Sequence, residues 1–272
     1  MRTDDVIILD RPTKFTAPTL FNLIKRRGGE PHQTFADMAT FYDPAAERRI
    51  DQDVNAVLTE LGLMGPRGMD RDLLALVESI CHPQIEYYGW FDGTFDDGSP
   101  SNFATLVGSG NGGGFALVRV IGDPTVTVSR QRPDLLLQTF LDIIPEGRAA
   151  SGAPLVTSRS EFESGRAAGS EDVSQRSIMQ SGPGRNEDFA PLKEIQRILK
   201  APRTGGGALY VASRPNGGRR RRIPKPINFI DTSEGRWLME ERPGRGDSLI
   251  VFTPGTPKAI ADRLRTAQSA LG

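Results

Sequence analysis

Asp231-Thr232-Ser233, following the apolar pair Phe229-Ile230, has the composition of an aspartic-protease loop. That chemistry needs two carboxylates sharing one proton. No second Asp-Thr-Ser or Asp-Thr-Gly stands at the corresponding place in the first half of the chain, so a homodimer would have to supply it. The enzyme reading therefore rests on Asp231 alone. Gly108, Gly110 and Gly113 satisfy the GxGxxG spacing of a dinucleotide loop, but the next segment, Phe115 to Ile121, alternates like a strand. A phosphate cradle needs a helix N-terminus there, so the spacing predicts a hairpin loop. His32 and His82 are the only imidazoles and Cys81 the only thiol. They lack the spacing of a metal site, and neither histidine lies near a Gly-x-Ser-x-Gly elbow. No catalytic residue, metal, cofactor or small-molecule substrate is expected.

Arg219 to Arg222 form a run of four arginines, and between Arg203 and Lys225 there are seven basic residues and no acidic one. A nucleic-acid groove interleaves such charges with aromatic rings, and Tyr210 is the only ring here. A solvated hairpin tip is the expectation, with nucleic-acid binding as the alternative. Arg245-Gly246-Asp247 spells a cell-adhesion tripeptide, which in a chain without an export signal reads as a loop.

The 272 residues carry 34 basic and 34 acidic side chains, so no global field draws the chain to nucleic acid or anionic lipid. The apolar run Val6 to Leu9 is too short for a signal-peptide core, and no segment approaches the ~18 apolar residues of a membrane helix. A soluble, cytoplasmic protein without membrane contact is expected. The elements that position these residues follow two periods. Val6 to Leu9 reads as a strand, Pro18 to Arg27, Asp51 to Leu63 and Met69 to Ser79 as helices, the last capped by Asp70. Ile85–Phe91, Asn102–Val107, Phe115–Ile121 and Thr125–Arg130 read as strands of an antiparallel meander, and Pro133 opens a helix. Residues 147–187, rich in Gly, Ser, Ala and Arg, predict a mobile connector with a short strand at 154–158. A helix from Phe189 to Leu199, strands at Ala208–Ser213, Pro226–Asp231, Arg236–Glu241 and Leu249–Phe252, and a terminal helix from Lys258 repeat the grammar. The organisation is thus a half at 1–146, a connector at 147–187 and a half at 188–272, pseudo-symmetric and joined through one sheet to avoid open edges.

Phe229, Asp231, Thr232, Gly235, Arg236, Trp237 and Leu238 follow a hydrophobic-Asp-Thr-x-x-Gly-Arg-aromatic-Leu pattern, continued by Pro254 and the helix from Ile260 to Leu271. With the opening apolar strand, Leu61-Gly62-Leu63 at a helix end and the long meander, the chain resembles the EspG family. These are cytosolic chaperones of ESX (type VII) secretion. The resemblance implies a single α+β domain over 1–272, with a central, mostly antiparallel sheet and two helical subdomains in pseudo-two-fold arrangement. It implies a PE–PPE heterodimer as partner, bound at the apolar helical tip of the PPE protein, and no catalysis. Affinity at such a surface comes from apolar and aromatic anchors, register from rim charges. Tyr88, Trp90, Phe91 and Phe95 with Asp96 and Asp97 on the first hairpin, and Trp237 and Leu238 in the C-terminal sheet, are the candidate contacts. The first hairpin region, 83–118, is purely acidic and the segment 203–225 purely basic, so the two are expected to be unlike poles.

Overall fold

The computed structural model describes residues 11–36, 42–94, 100–168 and 190–272. The strand expected over 6–9 and the candidates Phe95, Asp96 and Asp97 lie outside these ranges. In chain order the elements are β1 (Thr13–Thr16), α1 (Ala17–Arg26), α2 (Pro44–Glu60), β2 (Met64–Gly65), β3 (Gly68–Met69), α3 (Arg71–Cys81), β4 (Ile85–Thr94), β5 (Pro100–Gly110), β6 (Gly113–Val120), β7 (Thr125–Gln131) and α4 (Leu136–Ile143). There follow β8 (Leu155–Ser158), α5 (Arg159–Ala168), α6 (Ala190–Lys200), β9 (Arg203–Ser213), β10 (Arg221–Arg222), β11 (Ile227–Thr232), β12 (Gly235–Arg242), β13 (Leu249–Pro254) and α7 (Pro257–Ser269). The class is α+β, with an eleven-stranded sheet and a β2–β3 ribbon. The expected grammar of helix, four strands, helix occurs twice, as α3, β4 to β7, α4 and as α6, β9, β11 to β13, α7. No described helix is long and apolar enough to cross a membrane.

Two compact units divide the chain: Met1–Pro145 with Leu209–Pro224 and Leu264–Gly272, and Glu146–Ala208 with Lys225–Arg263. In the first, β4 to β7 form the expected antiparallel meander and β1 adds to β7. The row Tyr88, Leu106, Leu117 and Val128 runs straight across these strands. It belongs to a core shared with Leu20 and Leu23 of α1, Leu58 of α2 and Leu76 of α3. Period-two alternation sends the neighbouring residues to the opposite face. There Tyr87 and Phe91 meet Phe140 of α4, at centroid separations of 5.8 and 6.3 Å. The helices start where their caps dictate. Asp70 Oδ1 accepts the N–H groups of Asp72 and Leu73, both at 2.9 Å, and Asp43 Oδ1 those of Ala45 and Ala46, both at 2.8 Å.

The glycine-rich segment 108–114 is a hairpin, though its turn is only Asn111-Gly112; the flanking glycines are paired strand residues. Their small size admits α3. A Cβ on Gly112 would lie 2.0 Å from Ala75 O, and one on Gly110 would lie 2.9 Å from Ser79 Cα. Gly112 N–H also donates to Ser79 Oγ at 2.9 Å. The spacing that imitates a phosphate loop is therefore a close helix–sheet approach.

In the second unit the strands run β11-β12-β13-β8, all antiparallel. Ile195 and Ile198 of α6 pack with Trp237 and Phe252. Within 147–187, β8 forms where a strand is expected and α5 follows it; residues 169–187 lie outside the described ranges. Asp247 of the Arg-Gly-Asp tripeptide accepts Ser160 N–H at 2.9 Å, at the first turn of α5, so its carboxylate is part of a local brace.

Candidate partner-binding site

Alternation along β4 puts Glu86, Tyr88 and Trp90 on one face, and β9 brings Tyr210 beside them. Tyr88 and Tyr210 stack at 5.1 Å with an interplanar angle of 3°. Trp90 meets both rings edge-on, at 5.9 and 5.8 Å. Tyr88 is buried, whereas Trp90 and Tyr210 are half-exposed.

The arginine run lies against this face. Arg221 and Arg222 pair with Ser213 and Ala212 of β9 as a short strand, so alternate side chains point to opposite sides. Arg220 turns inward and donates Nε–H to Glu86, whose side chain is 2% exposed. It also lies 5.7 Å from the Tyr88 ring centroid. Arg222 lies 5.6 Å from the Tyr210 centroid and donates to Gln33 Oε1 at 3.3 Å. The expected solvated tip is thus half-engaged, because two of the four guanidinium groups have aromatic faces to cover. Two expected poles also meet: Glu86 from the acidic hairpin and Arg220 from the basic segment neutralise each other.

His32, from the segment after α1, completes the cluster. Its ring lies 4.7 Å from Tyr88 edge-on, its Nδ1 is 2.8 Å from Thr34 Oγ1, and its Nε2 is 3.3 Å from Arg220 Nη2. Nε2 accepts from the guanidinium, which leaves the imidazole neutral. Burial, with the Arg220 charge second, pushes its pKa from 6.5 down to about 3. Burial raises the Glu86 carboxyl above its ordinary range, opposed by Arg220. This ion pair was not legible as a site. Its one signal is a glutamate inside the aromatic run IEYYGW, since an acid among buried positions needs a partner.

Phe91 of the candidate contacts is buried on the opposite face of β4, stacked with Phe103 at 5.0 Å. Trp237 and Leu238, in the second unit, are buried in β12. Among the candidate contacts in the described residues, Trp90 alone offers partly exposed surface.

The signature hairpin of the second unit has a structural logic. Asp231 and Arg236 are cross-strand partners. Thr232 Oγ1 accepts Glu234 N–H and donates to Gly235 O, both at 3.2 Å, closing the turn. Gly235 has φ +119°, and a Cβ there would lie 2.6 Å from Ala150 N. Both Asp231 oxygens accept from Arg236, which ties the carboxylate into the hairpin. Cys81 Sγ lies against Gly29, and burial pushes its thiol up to about 11, away from thiolate chemistry. No metal-holding cluster occurs among the described residues.

The chain is thus a strand-rich α+β protein whose signature residues build a hairpin. The EspG family model matches residues 20–266, and the chain belongs to that family. Among solved structures it is similar to the Mycobacterium tuberculosis type VII secretion system chaperone EspG5, determined in complex with a PE25–PPE41 dimer. The TM-score is 0.66 at 14% identity, covering 96% of this chain and 97% of that one, a likeness of fold. No curated protein sequence matches.

Proposed function

We propose that this chain is a non-enzymatic chaperone of ESX (type VII) secretion, which binds a PE–PPE-type heterodimer in the cytoplasm and covers the apolar helical tip of the PPE partner. The observation that carries the reading is the family match over residues 20–266. The similarity to EspG5 over nearly the full length of both chains supports it. An apolar tip exposed in water invites association, and a sheet face with half-exposed rings suits its burial. Trp90 supplies such a ring, and the β4–β5 connection carrying Phe95, Asp96 and Asp97 is proposed to reach the same partner. Tyr88, Phe91, Trp237 and Leu238 support the strands from within.

The test is co-expression of the tagged chain with each PE–PPE pair of the source genome, followed by affinity purification and size exclusion. A stable ternary complex with one or a few pairs is expected. Recovery of the chain alone from every pairing would refute the reading.

A further inference from the structure

Arg222 is a cation of the aromatic face that lacks a carboxylate partner among the described residues. Arg220 on the same side is paired with Glu86. Arg222 is exposed, donates only to the Gln33 amide oxygen, and has no carboxylate partner among the described residues. The surrounding segment cannot supply one, because no acidic residue occurs between Arg203 and Lys225. The guanidinium nevertheless has a defined position, its carbon 5.6 Å from the Tyr210 ring centroid and its backbone carried on the β9–β10 pairing. A planar guanidinium fork loses less freedom on accepting a carboxylate than a flexible ammonium does. Tyr210 in turn contacts the half-exposed Trp90 edge-on, so charge and apolar ring surface adjoin.

We propose that Arg222, Tyr210 and Trp90 form a subsite for a carboxylate carried beside an apolar side chain on the tip of the helical partner. The Glu86–Arg220 pair is its positioning element. It anchors the residue two before Arg222 to buried β4, and so holds the Arg222 fork over Tyr210. The proposal rests on the chaperone reading and adds to it the charge of the partner residue. Orientation of the partner follows from that charge, since complementary rim charges set encounter and register.

The experiment uses the full chain and the purified PE–PPE dimers of the source genome, with association followed by biolayer interferometry at low and high salt. Arg222→Glu is expected to weaken binding at least about tenfold, mainly through the on-rate, and to flatten its salt dependence. Arg245→Glu, the same charge change at an exposed position of the second unit, is the control and is expected to bind as wild type. A Glu→Lys or Asp→Lys change at the partner tip is expected to restore binding to Arg222→Glu. Should Arg222→Glu melt early, Arg222→Gln removes the charge more gently and is expected to give a smaller loss of the same kind. Glu86→Gln is expected to lower affinity for the dimer without altering its charge preference. Wild-type binding with unchanged affinity in both Arg222 variants, or losses matched by Arg245→Glu, would overturn the subsite and leave the chaperone reading standing. A wild-type chain that binds no dimer would overturn both.

Discussion

Arg236 holds Asp231 through two hydrogen bonds at once, Nε to Oδ1 and Nη2 to Oδ2, each 2.7 Å. The Arg236 side chain is 4% exposed and that of Asp231 16%, and the guanidinium carbon lies 4.1 Å from the Phe229 ring centroid. The backbone around it is equally committed. Arg236 O accepts Ala150 N–H at 3.0 Å and Gly255 N–H at 2.7 Å, and Arg236 N–H donates to Arg148 O at 2.7 Å. Glycine stands at 147 and 255 because a Cβ would fall 2.7 Å and 2.3 Å from the arginine side chain.

Arg236→Ala is therefore expected to lower unfolding free energy by about 3–5 kcal/mol, because it strands the Asp231 charge and empties the space over Phe229. Asp231→Asn keeps an acceptor and should lose less, about 1–3 kcal/mol. Urea unfolding followed by circular dichroism measures both. A change under about 0.5 kcal/mol in either would show that the pair is dispensable, as surface pairs are.

Gly112→Ala tests the helix–hairpin approach. The added methyl meets Ala75 backbone at 2.0 Å, and backbone cannot swing away as a side-chain end can. A loss of about 1–3 kcal/mol is expected. Gly65→Ala, with nothing within 4 Å of the new atom, is the control. It should stay within about 0.5 kcal/mol of wild type. Equal melting curves for the two variants would refute the account of the glycines.

Much of this fold can be read from residue order, and the exceptions have physical causes. The meander is legible because Gly122-Asp123-Pro124 and the 108–114 glycines punctuate β-branched runs. Strand β1 is not, because TKFT has one apolar residue and gains its identity by pairing with β7. Helix α2 starts at Pro44, earlier than the apolar spacing from Asp51 suggests; its first turns are polar and only Val54 and Leu58 are buried. Tyr88, Phe91, Trp237 and Leu238 show why candidate contacts are hard to read. Large rings serve the core and the partner alike, and one sequence gives no exposure. Arg220 was illegible because its partner, Glu86, is distant in sequence.

Acid should destabilise the protein through His32. The unfolded imidazole takes a proton below its ordinary 6.5, whereas the folded one resists to about 3. Its contribution is complete above pH 6.5 and is lost as pH falls towards 3. Glu86 acts with the opposite sign. Its folded carboxyl is raised by burial, so its protonation favours the folded state at low pH and that benefit fades as pH rises through its folded value. Arg220 and Tyr88 are the other titratable groups facing the imidazole. The His32 contribution is expected to fall by on the order of 1 kcal/mol per unit between about pH 6 and 5, partly offset by Glu86, and stability of His32→Gln should fall less steeply than that of the wild type. Parallel slopes would show that His32 does not carry the dependence.

Trp237 and Trp90 are the two tryptophans of the chain, and replacing the first tests packing while isolating the second. Trp237 is 4% exposed, and its Nε1–H is buried without a hydrogen-bond partner among the described residues. Phenylalanine gives up apolar area, which lowers stability, and removes an unsatisfied donor, which raises it by about 1–3 kcal/mol. The two nearly offset, so Trp237→Phe is expected within about 1 kcal/mol of wild type. Trp237→Ala leaves a void between Ile195 and Phe252 and should lose about 3–5 kcal/mol. In the stable Trp237→Phe background all tryptophan emission comes from half-exposed Trp90. Addition of a bound PE–PPE dimer should shift that emission to the blue and reduce its quenching by acrylamide, after allowance for the dimer's own tryptophans. Emission and quenching unchanged in a complex that forms at full affinity would place the partner away from Trp90.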